Sequence, residues 1–114
     1  MPWVYDPQGG GVKIPLKTHN DVCNQIETFA RTRPWYPKNQ LKVRFRNQFC
    51  YIDTIKEGDD RFFPLCRLRY FTQKSWSFAL FTYSNERYEP CIFSNGKWEG
   101  TIEAVLEICE PFII

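Results

Sequence analysis

The chain has 114 residues, of which 10 are Phe, 6 Tyr and 4 Trp, and a formal net charge of +2. That length suits one domain burying about two-thirds of its extended surface. No apolar run approaches the ~20 residues that cross a bilayer, and no block of like charge marks a disordered nucleic-acid arm. The small net charge hides an asymmetry: residues 1–56 carry nine Lys/Arg against four acids, and residues 57–114 carry six against nine. An acidic partner for the first half is permitted but not required.

Residues 1–17 read as an irregular segment, with Pro2, Pro7 and Pro15 bracketing Gly9-Gly10-Gly11. The glycine run reads as flexible backbone, because it neither follows a strand nor opens a helix as a phosphate loop would. Trp3, Val4, Tyr5, Val12, Ile14 and Leu16 are too apolar for a free tail, so the segment is expected to lie pinned on the body.

A first helix follows, capped by Thr18 or Asn20, with Asp21 at its positive end and Val22, Ile26 and Phe29 recurring at i, i+4 and i+7. Asn24, Glu27, Thr28 and Arg31 form its wet face, and Arg33-Pro34 ends it. A loop over 34–40 leads into a hairpin at about 41–56 with a two-residue turn at Asn47-Gln48. That register sets Val43 opposite Ile52 and Phe45 opposite Cys50 on one face. On the other it sets Lys42 opposite Asp53, Arg44 opposite Tyr51 and Arg46 opposite Phe49, sorting apolar from polar pairs.

After a turn at 57–61, a second hairpin centred on Gln73-Lys74 pairs Tyr70 with Ser77, Leu68 with Ala79 and Cys66 with Phe81. Its other face pairs Phe71 with Trp76, Arg69 with Phe78 and Arg67 with Leu80. A third turn at Asn85-Glu86 sets Tyr83 opposite Tyr88, Phe81 opposite Pro90 and Ala79 opposite Ile92, with Pro90 demanding an edge or a bulge. Asn95-Gly96 is a hairpin signal, so Trp98-Glu99 could add a short return. Thr101 caps a second helix with Ile102, Val105, Leu106 and Cys109 on one face, and Pro111 stops it.

The fold class is therefore α+β: an N-terminal helix, an antiparallel sheet of five to six strands built from consecutive hairpins, and a short C-terminal helix. Large apolar groups on both faces imply that each is covered. The first helix is expected on the Leu68/Ala79/Phe81 side, and the N-terminal segment, second helix or a partner on the other.

Catalytic chemistry has few candidates. His19 and Cys23 stand one helical turn apart, a spacing open to a Cys–His pair, but no orienting group accompanies them. Glu57, Asp59 and Asp60 could approach a cation on a turn, without the spacing of a calcium loop. No cofactor or metal site is expected. Five cysteines, an odd number with no CxxC pair, together with a start lacking a signal peptide, point to a reducing, cytoplasmic setting.

The most functional-looking feature is an arginine–aromatic face. Its candidate binding residues are Arg44, Arg46, Tyr51, Arg67, Arg69, Trp76 and Phe78, with Lys42, Phe49 and Phe71 beside them. Rings interleaved with cations suit single-stranded nucleic acid. The same residues also suit a plain wet sheet face on which arginines stack on rings or pair with Asp53 and Glu89.

Several segments carry a resemblance: Pro2-Trp3-Val4-Tyr5-Asp6-Pro7 with its glycines and Lys13-Ile14-Pro15, Arg44-Phe45-Arg46, Gln48 to Asp53, Leu65 to Phe71, and Tyr88-Glu89-Pro90-Cys91. Together they resemble a family of small uncharacterised bacterial proteins common in cyanobacteria, in which the loop at 57–64 is longer. The resemblance implies a free-standing intracellular protein and carries no activity or binding residue.

The expected function is a non-enzymatic binding module that docks on a protein partner, as an inhibitor or assembly factor, using surplus apolar surface at Trp3, Tyr5, Trp35, Tyr36 and Phe112–Ile114. The alternative is nucleic-acid binding through the arginine–aromatic face. A homodimer is compatible with either. Any added strand is expected on the 41–56 hairpin, because Pro90 removes a donor from strand five.

Overall fold

The computed structural model describes residues 10–113, so the expectations for residues 1–9, Trp3 and Tyr5 included, and for Ile114 lie outside the described residues. The order is α1 (Leu16–Arg31), β1 (Asn39–Arg46), β2 (Phe49–Lys56), β3 (Phe63–Thr72), β4 (Ser75–Thr82), β5 (Arg87–Cys91) and α2 (Ile102–Cys109), followed by a 3-10 turn at Glu110–Phe112. The strands form one antiparallel sheet in the order β1-β2-β3-β4-β5, so each strand pairs with its sequence neighbour. This is the α+β architecture the periodicities imply, with five strands. The expected sixth is reduced to one bridge, in which Trp76 and Gly100 exchange both backbone hydrogen bonds.

The first hairpin has the expected register at every pair from Lys42↔Asp53 to Arg46↔Phe49. Asn47 occupies the turn at φ 55°, a left-handed conformation that asparagine tolerates better than most residues. The second hairpin departs by one residue. Thr72 pairs with Ser75, Phe71 is left out as a bulge, and the ladder continues as Tyr70↔Trp76, Arg69↔Ser77, Leu68↔Phe78 and Arg67↔Ala79.

The slip has a clear energetic origin. It places Trp76 and Phe78 on the same face as Leu68 and Tyr70, where they are fully or almost fully buried. Two such rings bury about 150–250 Å² each, which at ~25 cal/mol per Å² is roughly 8–12 kcal/mol, an upper bound. The bulge forfeits about one ladder bond, near 1 kcal/mol. Packing therefore wins over the regular ladder. Ala79 and Phe81 consequently leave the helix side, correcting the expectation that α1 covers them.

The third hairpin closes through a four-residue loop, Tyr83 to Glu86, giving Phe81↔Tyr88 and Ala79↔Pro90. This differs from the expected register by two residues, so every side chain keeps its face. Pro90 lies on the edge strand, as a residue without an N–H requires.

Both helices pack on one face. Val22, Ile26 and Phe29 of α1 and Ile102, Val105, Leu106 and Cys109 of α2 meet Cys50, Ile52, Cys66, Leu68, Trp76 and Phe78 in a single core. The Thr101 hydroxyl accepts from the Ala104 N–H at 3.2 Å, the cap its sequence position implies. At α1 the expected cap is displaced. The helix starts at Leu16 after Pro15, and Thr18, buried in its first turn, does not serve as the cap. Proline, with φ already near the helical value, opens the helix without a capping hydroxyl.

Candidate interaction face

The face opposite the helices holds most of the arginine–aromatic residues. Lys42, Arg44 and Arg46 come from β1, Phe49 and Tyr51 from β2, Arg67 and Arg69 from β3, Phe81 from β4 and Tyr88 from β5, brought to one side by the alternation of each strand. Trp76 and Phe78 are not among them, a correction to the expected site. The bulge at Phe71 turns both into the core, where Trp76 meets Tyr70 at 4.9 Å and Phe78 meets Phe93 at 4.8 Å, edge to face.

The remaining cations and rings stack on one another. The Arg44 guanidinium lies 4.6 Å from the Tyr51 ring centre, Arg67 lies 4.6 Å from Phe49 and 5.2 Å from Tyr88, and Arg69 lies 5.1 Å from Phe49. Tyr88 in turn packs edge-on against Tyr51 and Phe81. Each ring is thus partly covered by a guanidinium or another ring, which leaves the rings half-buried on a face that carries no helical layer.

Two residues fix its ends. Asp53 is buried, and its Oδ2 accepts from Arg44 Nε at 3.0 Å. Its second oxygen has no hydrogen-bond partner among the described residues. Burial, and after it the charge of Asp53, pushes the Tyr88 and Tyr83 hydroxyls above the usual tyrosine range. At the other end Arg69 is only 5% exposed. Gly11, at φ +90°, passes so close that a Cβ there would stand 2.6 Å from Arg69 Cγ and 3.1 Å from the Tyr70 carbonyl oxygen. Gly10 and Gly11 are therefore close-approach positions and not merely flexible backbone. The Val12 and Ile14 amides donate to the Tyr70 and Asn47 carbonyls, tying residues 10–15 to the sheet.

A second feature was not legible in the sequence. Where β2 and β4 end and β3 begins, a groove of about 310 Å³ is lined by Phe63, Pro64, Leu65, Leu80, Phe81 and Phe112, among others. Tyr83 lines it too, its hydroxyl donating to the Pro64 carbonyl at 2.8 Å. Phe62, the chain neighbour of the lining residue Phe63, is 54% exposed, and Tyr83 and Phe112 are each 58% exposed. The only advance signal was the apolar tail, and the chain's return to the β2/β4 end is a tertiary fact. Trp35 and Tyr36, expected to offer apolar surface, are half-buried, and their polar atoms donate internally: Trp35 Nε1 to Glu110 at 2.9 Å and Tyr36 Oη to Glu27 at 3.3 Å.

The structure also places the other chemical candidates. His19 stacks flat on Phe45 at 3.9 Å between ring centres, and no hydrogen bond joins it to Cys23. Burial pushes the Cys23 thiol up, the opposite of an activated nucleophile. On the acidic turn, Asp59 is held by Arg61 through 2.9 and 3.1 Å side-chain contacts and a 2.9 Å bond from the Arg61 amide. Among the described residues no cluster of three or more His, Cys, Asp or Glu is placed to hold a metal. None of their helices is long and apolar enough to cross a membrane.

The class this geometry defines is a small α+β domain with an open, self-stacked sheet face and an apolar groove at one end. No protein family, curated protein or solved structure matches the chain.

Proposed function

We propose that this protein is a non-enzymatic binding module whose ligand is another protein, as an inhibitor or assembly factor. The observation that carries the reading is one groove lined by Leu65, Leu80 and Phe81 in which Tyr83 and Phe112 are each more than half exposed, with the exposed Phe62 next in the chain to the lining residue Phe63. Exposed apolar clusters of this kind mark interaction sites. The test is capture from the native host with wild-type protein and with Phe62→Glu and Phe112→Glu. Exposed sites leave folding within about 0.5 kcal/mol, so the variants should keep their melting temperature and lose the partner. If both retain it, the groove is not the docking site.

A second reading, nucleic-acid binding, draws on the row Lys42, Arg44 and Arg46, all exposed. It is the weaker, because Trp76 and Phe78 are in the core and Phe49, Tyr51 and Tyr88 already carry guanidinium groups on their faces. Stacking of bases would have to displace those cations. Salt-sensitive binding to single strands that weakens in Arg44→Ala and Arg46→Ala would favour it.

A further inference from the structure

We propose that the outer edge of β1 is a docking site for an extended strand of a partner protein, one that alternates acidic and apolar residues. The inference rests on the reading that the ligand is a protein, and it adds a surface distinct from the groove. β1 is an edge strand of eight residues without proline. Its pairing with β2 closes at Arg46↔Phe49 across a two-residue turn, so the backbone groups of Arg46, Arg44 and Lys42 point to β2 and those of Phe45, Val43 and Leu41 point outward. The Asn39 amide obeys the same alternation, donating outward to the Trp35 carbonyl at 2.8 Å. No such bond from Leu41, Val43 or Phe45 occurs among the described residues.

The side chains state what the missing strand should look like. Leu41, Val43 and Phe45 pack against the core yet remain half-buried, because the sheet stops beside them. Along α1, Leu16, His19 and Cys23 form one stripe, with His19 stacked on Phe45 and both Leu16 and Cys23 exposed, Leu16 to 81%. An added strand would bring apolar side chains to this face. On the other face Lys42, Arg44 and Arg46 stand in a row, all exposed. Arg44 is paired with Asp53, whereas Lys42 and Arg46 have no ion-pair partner among the described residues. Residues directly opposite in a ladder share a face, so a partner strand meets these three positions with carboxylates. A second copy of β1 would instead oppose cation to cation, the device by which edges avoid pairing with themselves.

The test uses a synthetic peptide as long as β1 that alternates glutamate and valine, read by backbone amide exchange in the full chain. In the free protein the Leu41, Val43 and Phe45 amides should exchange quickly while those of Lys42, Arg44 and Arg46 are protected. The peptide should slow the first three. Its affinity should fall roughly tenfold in the Lys42→Glu, Arg46→Glu double variant, and N-methylation of its alternate amides, which leaves the protein untouched, should abolish the effect. The proposal is overturned if a lysine–valine peptide protects the same amides equally, or if the glutamate–valine peptide protects none of them. It is also overturned if they are already protected in concentrated protein alone, which would mean that a second copy occupies the edge. The groove is judged separately, by whether Phe62→Glu and Phe112→Glu lose the native partner.

Discussion

Deleting Phe71 should leave the fold intact, and this follows from its position as the residue left out of the β3–β4 ladder. With Phe71 removed, Tyr70 still meets Trp76 and Thr72 still meets Ser75, so no side chain changes face. The losses are the half-buried phenyl and its packing beside Gly10, whose Cβ position lies 3.3 Å from the ring. Half of a full phenylalanine burial is about 1–1.5 kcal/mol, and a regular ladder restores about 1 kcal/mol of hydrogen bonding. The net change is therefore within about 1 kcal/mol. Trp76→Ala, by contrast, empties the centre of the core and should cost about 3–5 kcal/mol. Urea denaturation of the two variants measures the difference, equivalent to at least about 10 °C in melting temperature, and cross-strand Hα–Hα contacts between Tyr70 and Trp76 report the register. A Phe71 deletion that unfolds the chain, or that moves Trp76 to a different partner, refutes the argument that packing alone holds the slip.

Gly100→Ala should destabilise by about 1–3 kcal/mol, because a Cβ there falls 2.7 Å from Cε2 of the buried Phe93 ring; thermal melts of the variant check this, and a Phe93→Leu background should relieve part of the loss. Alkylation by iodoacetamide should take Cys23 first and Cys91 more slowly, while Cys50, Cys66 and Cys109 resist until the chain unfolds, since all three are buried, burial pushes the Cys50 thiol far up, and a side-chain hydrogen bond with Cys109, together with burial, does the same to Cys66; peptide mass mapping over time reads the order. Asp59 should titrate at about 2, held down first by the Arg61 side-chain bond. Its folded value lies below its unfolded one, so whatever stability it adds is present above the ordinary carboxylate range and is lost as pH falls through about 2. Carboxyl-carbon NMR of Arg61→Ala should show the value returning to the ordinary range.

The first hairpin was legible pair by pair because its turn is short and its two faces differ sharply in polarity. The second misled by one residue, since a simple turn at Gln73-Lys74 satisfied local pairing just as well. The discriminating signal lay in β4 itself, where large residues at Trp76, Phe78 and Leu80 alternate with small ones at Ser77 and Ala79. Asking that alternation to share the core with Leu68 and Tyr70 demands the slip, and with it a bulge between Tyr70 and Thr72. A bulge, unlike a two-residue difference in loop length, exchanges the faces of everything beyond it. That is why the third hairpin's error was harmless and the second removed Trp76 and Phe78 from the expected site.

The arginine–aromatic face shows the same logic at the level of function. Composition named the residues that share a surface, but whether a ring on that surface is available depends on what already lies over it. Here Arg67 spans Phe49 and Tyr88, Arg44 covers Tyr51, and Gly11 presses on Arg69. The Arg44–Tyr51 contact is a directly opposite pair that the hairpin register implies, but those of Arg67 are diagonal or reach past a neighbouring strand and that of Gly11 comes from a segment outside the sheet, so no pairwise register rule could foresee them. Self-stacking turns cations and rings that suit a nucleic acid into the second layer of the fold. Unmet valence moves to the margins of the sheet: apolar surface at the groove, and backbone donors and acceptors along β1. Both margins suit protein surfaces better than bases, because one offers shape to an apolar side chain and the other offers a ladder to a strand.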